Sequence, residues 1–403
     1  MNILLVNKFL TRRGGAETYT LELGRALAGR GHRVEYFGMD SPERAAGNSA
    51  GLYVRPLDFR TPGLKQAVYP FKIIYSREAY KKMRRVLAVF DADVVHLNNF
   101  NFQLTPSVIA AVRDAGRARG KKIRLLYTAH DSQLLCPDHL FYIPHAARVC
   151  EKCLHGSPMH CARNRCVHGS SAKSLLAAAE AAVYRFSMLY ERIDTIICPS
   201  RYMFKKFCTV PRFARKAVFL QNFVLPLTPV PVPRGRYVLY FGRLDAEKGV
   251  DLVAEAARLL SDIPFAVAGD GAGTVHFHGL KNVHMAGFLS GQMLQKAISG
   301  AALTLCPSRC RENCPLSVLE SIALGTPVIG ANHGGTPELI EPERTGLLFA
   351  PGDAGAMAAC IRRVYDDGVL RTRMYTACAG QSFLSADAYC EKVETLYEGG
   401  VLR

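Results

Sequence analysis

No stretch of this 403-residue chain approaches the roughly 20 consecutive apolar residues needed to span a bilayer. Residues 1–9 are apolar, but they lack a basic lead-in and a small-residue cleavage site, so they read as a first strand and not as a signal peptide. Low-complexity tracts and clear internal repeats are also absent, which leaves an ordinary globular chain. Acidic residues are scarce. There are 34 Asp and Glu against 51 Lys and Arg, a formal net charge of +17. The deficit is uneven: through Ser200 the balance is 29 basic to 16 acidic, or +13, and the remaining 22 to 18 leave +4. Such a basic first half suits a soluble basic surface, an anionic lipid or a phosphorylated acceptor. No nucleic-acid motif and no basic stripe interleaved with aromatics occurs, so nucleic acid is not an expected partner. The expected compartment is the cytoplasm, with any membrane contact peripheral and at the inner face of the plasma membrane.

What is present is a chain long enough for two domains, each with its own core, at 49% apolar and 21% charged residues. Residues 1–6 read as a buried strand, 17–30 as a helix carrying Leu21, Leu23 and Leu27, and 32–38 as a second strand, a βαβ opening. Gly14 and Gly15 fall at the strand-to-helix junction, where backbone N–H groups can approach a phosphate. Residues 68–90 mix Phe71, Ile73, Tyr80 and Met83 with Lys72, Arg77, Lys81 and Arg84. That pattern fits a basic amphipathic helix, either packed on the domain or lying on an anionic membrane. Residues 93–97 and 123–129 are further strands, and the latter delivers His130 and Asp131 at its C-terminal end, where α/β folds place ligands. A Pro-rich stretch, residues 225–236, marks the boundary to a second α/β domain that opens with the strand YVLYFG.

The segment 302–331, ALTLCPSRCRENCPLSVLESIALGTPVIGA, reads as strand, loop, helix and strand. Pro315 suits the first position of the helix and Gly325 the residue beyond its end. Glu312 then sits in the loop and Glu320 more than a turn into the helix. The unpaired N–H groups at Leu316 and Ser317 attract an anion such as a phosphate, and Glu320 is placed to accept hydrogen bonds from a ribose on the same ligand.

Glu312 and Glu320, followed by Ala323-Leu-Gly325-Thr-Pro327 and Gly334-Gly335-Thr-Pro-Glu338, resemble the signature of the retaining, nucleotide-sugar-dependent glycosyltransferases of family 4. Arg243-Leu-Asp-Ala-Glu-Lys248-Gly249 is similar to that family's G-R-L-x-x-x-K-G, and Thr128-Ala-His130-Asp131 to its T-x-H-D. The resemblance implies the GT-B fold, two Rossmann-like domains facing each other across a cleft. It places an acceptor-side domain at residues 1–224, with a Cys-rich insert near 136–168, and a linker at 225–236. A nucleotide-sugar domain follows at 237–384, and a C-terminal helix at 385–403 crosses back to the first domain. The implied reaction moves a sugar from a nucleoside diphosphate donor to a saccharide or lipid-linked acceptor, in bacterial-type surface polysaccharide or glycolipid biosynthesis.

By the same resemblance Arg243, Lys248, Leu316 and Ser317 hold the diphosphate, Glu320 holds ribose, and Gly14 and Gly15 close over the donor. His130 and Glu312 flank the sugar, with Asp131 expected to fix the tautomer of His130. Protein cations and helix ends take the place of a catalytic metal. The sequence departs from many members after Glu312, where Asn313-Cys314-Pro315 replaces a glycine-containing turn. Two other readings remain open: a nucleotide-sugar epimerase of the same fold, and a non-catalytic nucleotide- or membrane-binding scaffold, against which the intact charged set argues.

Cys136, Cys150, Cys153, Cys161 and Cys166 fall within 31 residues, among five histidines. Cys150-x-x-Cys153 is a knuckle suited to tetrahedral zinc, while an odd total of 13 cysteines in a cytoplasmic chain argues against a disulfide framework. A structural zinc and free thiols in an acceptor-facing loop are the two expectations here.

Overall fold

A computed structural model describes residues 1–402 apart from residues 13, 57–68, 226 and 228–231. The chain forms two compact units. One comprises Met1–Phe141, Cys150–Gln221 and Ala386–Arg403, and the other Tyr142–Val149 and Asn222–Ser385. The segment Tyr142–Val149, inside the stretch expected in the first domain, thus clusters with the second unit. Part of the expected linker, residues 226 and 228–231, lies outside the described residues.

The strands of the first unit are β1 (Asn2–Val6), β2 (Arg33–Phe37), β3 (Val94–Leu97) and β4 (Arg124–Thr128). After a two-residue hairpin, β5 (Tyr142–Ile143) and β6 (Arg148–Val149), come β7 (Thr195–Cys198) and β8 (Ala217–Phe219). Without the hairpin they form one parallel sheet in the order β2-β1-β3-β4-β7-β8. The second unit holds β9 (Val238–Phe241), β10 (Phe265–Ala268), β11 (Val283–Gly287), β12 (Leu303–Cys306), β13 (Val328–Ala331) and β14 (Gly346–Phe349). They pair in parallel in the order β11-β10-β9-β12-β13-β14. Strands β3, β7, β9, β12 and β13 are buried along their whole length, as expected for parallel sheets covered on both faces by helices. In each sheet the direction of winding reverses once, at β1/β3 and at β9/β12. Loops leaving the C-terminal ends of those neighbouring strands diverge to opposite faces and open a crevice.

Two polar residues interrupt the apolar centre of the first sheet, and both are satisfied. His96 Nε2 pairs with Thr128 Oγ1 at 2.7 Å and His96 Nδ1 with the Tyr397 hydroxyl at 2.8 Å. Tyr19 bridges Thr128 at 3.3 Å and Tyr389 at 2.7 Å. The helix Ala386–Tyr397 is therefore bonded into the core of the first unit. At its surface Glu394 takes both arms of the Arg30 guanidinium, at 2.7 and 2.9 Å, and His32 at 2.9 Å.

The basic stretch expected as one helix is two. Helix Tyr69–Ile74 ends before Ser76, whose hydroxyl accepts from the Ala79 N–H and caps a second helix, Arg77–Val89. Residue 68 of that expectation lies outside the described residues. Ala79, Met83, Val86 and Leu87 of the second helix are buried in the core, so its apolar face is covered by its own unit. Among the described residues no helix is long and apolar enough to cross a membrane.

Gly249 shows how tightly the second switch point is built. It sits at φ +72°, and a Cβ there would lie 2.2 Å from the Pro307 carbonyl oxygen at the end of β12. Gly249→Ala is expected to cost upwards of about 2 kcal/mol, since it combines backbone strain with a clash that no side chain can relieve. Urea denaturation checks this, and an unchanged midpoint would contradict the packing described.

Candidate active site

The second unit assembles its charged groups from the two loops that flank the β9/β12 switch point. From the loop after β9, Lys248 Nζ reaches Glu312 Oε1, in the loop after β12, at 2.6 Å. The Ser308 hydroxyl donates to the same oxygen at 2.5 Å, while Oε2 has no hydrogen-bond partner among the described residues. Burial alone would keep Glu312 protonated. The Lys248 charge and hydrogen bond, the Ser308 hydroxyl and Arg243 outweigh it, so the acid lies below its ordinary value and the group is a carboxylate. For Lys248 burial likewise opposes the charge, and Glu312 reverses the balance and holds the ammonium firmly protonated. Arg243 is held by Asp245 and by Glu247, the latter at 3.2 Å, and remains half exposed.

Backbone geometry supports the Glu312 loop from beneath. Gly334 stands at φ +63°, where a Cβ would come within 2.5 Å of the Glu312 carbonyl, and Gly335 donates to that carbonyl at 2.8 Å. This explains the Gly-Gly pair in physical terms. His333 Nε2 pairs with the Ser308 carbonyl at 2.8 Å and fixes the hydroxyl-bearing turn.

Pro315 is the residue before the helix Leu316–Ala323 and not its first residue; its extended ψ of 116° sets the entry. Val318 and Leu319 donate back to the Pro315 carbonyl, so the N–H groups of Leu316 and Ser317 lie ahead of the first helical bond. No side chain caps that end. Glu320, one turn further on, has no hydrogen-bond or ion-pair partner among the described residues, and burial lifts its acid to about 7.

In the first unit His130 stands at the end of β4. Its Nε2 lies 2.9 Å from Asn98 Oδ1, and Tyr19 packs edge-on at 4.7 Å. With oxygen as acceptor, Nε2 carries the proton and Nδ1 is left as an acceptor. Burial lowers the imidazolium to about 3, so the ring is neutral at physiological pH. The expectation that Asp131 sets this tautomer is corrected: Asn98 is the partner, and Asp131 instead accepts from the Gln133 N–H at 2.8 Å. Gly14 is the residue before the helix Gly15–Gly29, with Glu17 folded against it. Gly15 is exposed.

The cysteine-rich stretch holds its thiols in separate local contacts. Cys136, Cys153, Cys161 and Cys166 are buried, and Cys161 and Cys166 share a thiol hydrogen bond that raises the acid of the first and lowers that of the second. Cys153 donates to the Pro158 carbonyl, and Cys150 receives the Asn164 amide. Among the described residues no three His, Cys, Asp or Glu side chains gather as metal ligands. Ser308 and Asn98, both partners of expected site residues, were not singled out in the sequence. Their signal was a polar residue placed just after a buried strand.

Two parallel, Rossmann-like units with this arrangement of loops define the GT-B class of glycosyltransferase folds. Solved structures agree: sucrose-phosphate synthase from Thermosynechococcus elongatus superposes with a TM-score of 0.68 at 19% identity, covering 99% of this chain and 98% of that one. HepE from Anabaena, crystallised with UDP and glucose, gives 0.67 at 16% identity, covering 99% and 100%. Residues 13–224 match the model of Glycosyltransferase Family 4, and residues 231–379 that of glycosyl transferases group 1. The chain belongs to glycosyltransferase family 4. Among curated relatives, the alpha-D-kanosaminyltransferase of Streptomyces kanamyceticus is 33% identical over 172 residues, 40% of this chain and 42% of that protein. The GDP-mannose-dependent alpha-mannosyltransferase of Mycolicibacterium smegmatis is 29% identical over 224 residues, 52% of this chain and 58% of that protein. The chain thus spans about two fifths to three fifths of those relatives.

Glu320 offers a test in pH. Its folded acid, at about 7, is raised above the ordinary value of 4.5. A raised carboxyl favours the protonated fold, so stability falls as pH rises from near 4.5 to 7 and is lowest above it. Glu320→Gln removes that dependence. Relative to wild type it should gain up to roughly 3 kcal/mol at pH 8 and nothing at pH 4. Denaturant titrations at the two pH values read it; a difference independent of pH would show that Glu320 is solvated.

Proposed function

We propose that this protein is a retaining glycosyltransferase that moves a sugar from a nucleoside diphosphate donor to a hydroxyl of a saccharide or lipid-linked acceptor. Surface polysaccharide or glycolipid assembly is the setting this reading suits. The observation that carries it is the half-buried Lys248–Glu312 pair, followed by an uncapped helix start and a Glu320 without a partner among the described residues. Lys248, Arg243 and the N–H groups of Leu316 and Ser317 meet the charge of a diphosphate as it leaves. Glu320 accepts from the ribose hydroxyls. Glu312 stays ionised and has one oxygen open to a sugar hydroxyl, while stabilising positive charge at the anomeric carbon. His130, neutral and with Nδ1 open, accepts a further sugar hydroxyl. The bond from the anomeric carbon to the phosphate oxygen breaks with its electron pair going to phosphate. The acceptor oxygen bonds to that carbon on the same face, and its proton passes to the departing phosphate. Protein cations and N–H groups carry the charge stabilisation in this scheme.

A thermal-shift series with UDP-, GDP-, ADP-, TDP- and CMP-sugars tests the donor site. One nucleoside family should raise the melting temperature, with the shift lost in Glu320→Ala. Lys248→Ala should lower turnover by about 10²–10³-fold with circular dichroism unchanged. Silence across the panel, or normal turnover in Lys248→Ala, would refute the reading.

Peripheral membrane contact is proposed through the first of the two helices of the basic stretch, Tyr69–Ile74, and the helix packed on it. Helices Tyr69–Ile74 and Ser171–Phe186 pack together in the first unit, and Phe71, next to Lys72 in the first, is 72% exposed, while Phe186 and Met188, at and just beyond the end of the second, are 91% and 63% exposed. Apolar side chains bordered by cations suit an anionic bilayer. Co-sedimentation with phosphatidylglycerol vesicles, lost in the Phe71→Ser/Phe186→Ser double variant, is the expected result; equal binding to neutral phosphatidylcholine would contradict it.

A further inference from the structure

The first unit contains a cavity of about 20 Å3 that none of the chemistry above uses. Gln133, Leu135, Cys136, His139, Glu180 and Tyr190 are among its lining residues. A space of this size admits one water-sized group, such as a hydroxyl or an ammonium. Its polar floor is unusual. Glu180, on the helix Ser171–Phe186, is 7% exposed and makes no hydrogen bond or ion pair among the described residues. Burial raises its acid to about 8. Gln133 is 6% exposed, and among the described residues its terminal amide makes no well-formed hydrogen bond, the Tyr190 hydroxyl being its near polar neighbour. Buried polar groups left unpaired are costly, and the Glu180 carboxyl beside the Gln133 carboxamide leaves acceptors and an amide N–H group for an incoming hydroxyl or ammonium to meet.

The cavity is tied to the end of β4. His139 in its wall bonds the Asn101 amide at 2.9 Å and lies 3.8 Å from Asp131, the neighbour of His130. The Gln133 N–H is itself held by Asp131. A ligand reaching this cavity therefore reaches the segment that carries His130.

We propose that the cavity seats one hydrogen-bond-donating substituent of the acceptor, a hydroxyl or an ammonium on a saccharide ring, with Glu180 and Gln133 as its recognition pair. The proposal rests on the transferase reading and names the acceptor subsite. Glu180, neutral near pH 7, ionises on meeting an ammonium, whereas a carboxylate or phosphate would enter a buried site whose cation, Arg185, already donates to the Gly156 and Cys153 carbonyls, so anionic substituents are excluded from this position. The apolar wall of Leu134, Ala177 and Ala181 suits the single carbon that would carry the seated group.

Saturation-transfer NMR on the full chain, with D-glucose, D-glucosamine and D-glucuronate as probes, tests this. The first two should bind and glucuronate should not. Glu180→Gln should weaken glucosamine by about tenfold or more while leaving glucose within about threefold. Glu180→Leu should abolish both. Gln133→Leu, which leaves the carboxyl in place, should weaken both and guards against a folding defect in the first variant. Equal binding of glucuronate, no binding of any probe, or binding indifferent to Glu180→Leu would overturn the proposal. The nucleotide-induced thermal shift separates the two readings, because it arises in the second unit and should persist in every Glu180 variant. Its absence from wild type would instead refute the transferase assignment.

Discussion

The second unit depends on one ion pair. Lys248 and Glu312 come from loops on either side of the β9/β12 reversal, and each would be costly alone in its half-buried setting. Together they hold the two loops against each other and leave a lysine charge and one carboxylate oxygen available to a ligand. The turn at Gly249, the Ser308 hydroxyl, the His333 ring and the Gly334-Gly335 backbone all converge on that contact. A pair of this kind is weak as a stabiliser, since an apolar substitute could pack as well. Its retention at the mouth of a crevice is better understood as a cost borne for recognition.

The first unit solves a different problem. A strand end must present a neutral histidine without freedom to turn, and it does so with amides and hydroxyls in place of charges. Asn98 fixes the ring from the neighbouring strand, Tyr19 covers its edge, and the same tyrosine enters the buried chain that runs through Thr128 and His96. Burial then removes the imidazolium from the physiological range. One unit thus offers charge and the other offers uncharged hydrogen bonding.

Much of this was legible in the residues. Buried parallel strands are continuous apolar runs, so VVHL, TIIC and LTLC were readable as strands, and glycines at left-handed turns marked the loops between them. The charged set Arg243, Lys248 and Glu312 was readable because its spacing is local to two loops. Contacts between residues distant in sequence were not readable. Nothing in the local pattern separates Asn98 from Asp131 as the partner of His130, since that choice is made by the neighbouring strand. Basic helical periodicity from residue 68 onward could not reveal that Ser76 would cap a new helix or that the apolar face would be consumed by the core. The Cys150-x-x-Cys153 spacing likewise names two positions of a ligand set and is silent on any others.

The helix Ala386–Tyr397 has a consequence for how the chain acquires its structure. It belongs to the first unit, bonded through Tyr389 and Tyr397 into a core that residues 1–141 begin. Most of the second unit, residues 222–385, is made without interruption in between. During synthesis, then, the half that starts first is completed after the other, and the bonds from His96 to Tyr397 and from Tyr19 to Tyr389 wait while 301 and 370 residues emerge, roughly half a minute at ordinary elongation rates. A nascent chain arrested before residue 386 should carry one finished unit, and it would be the second.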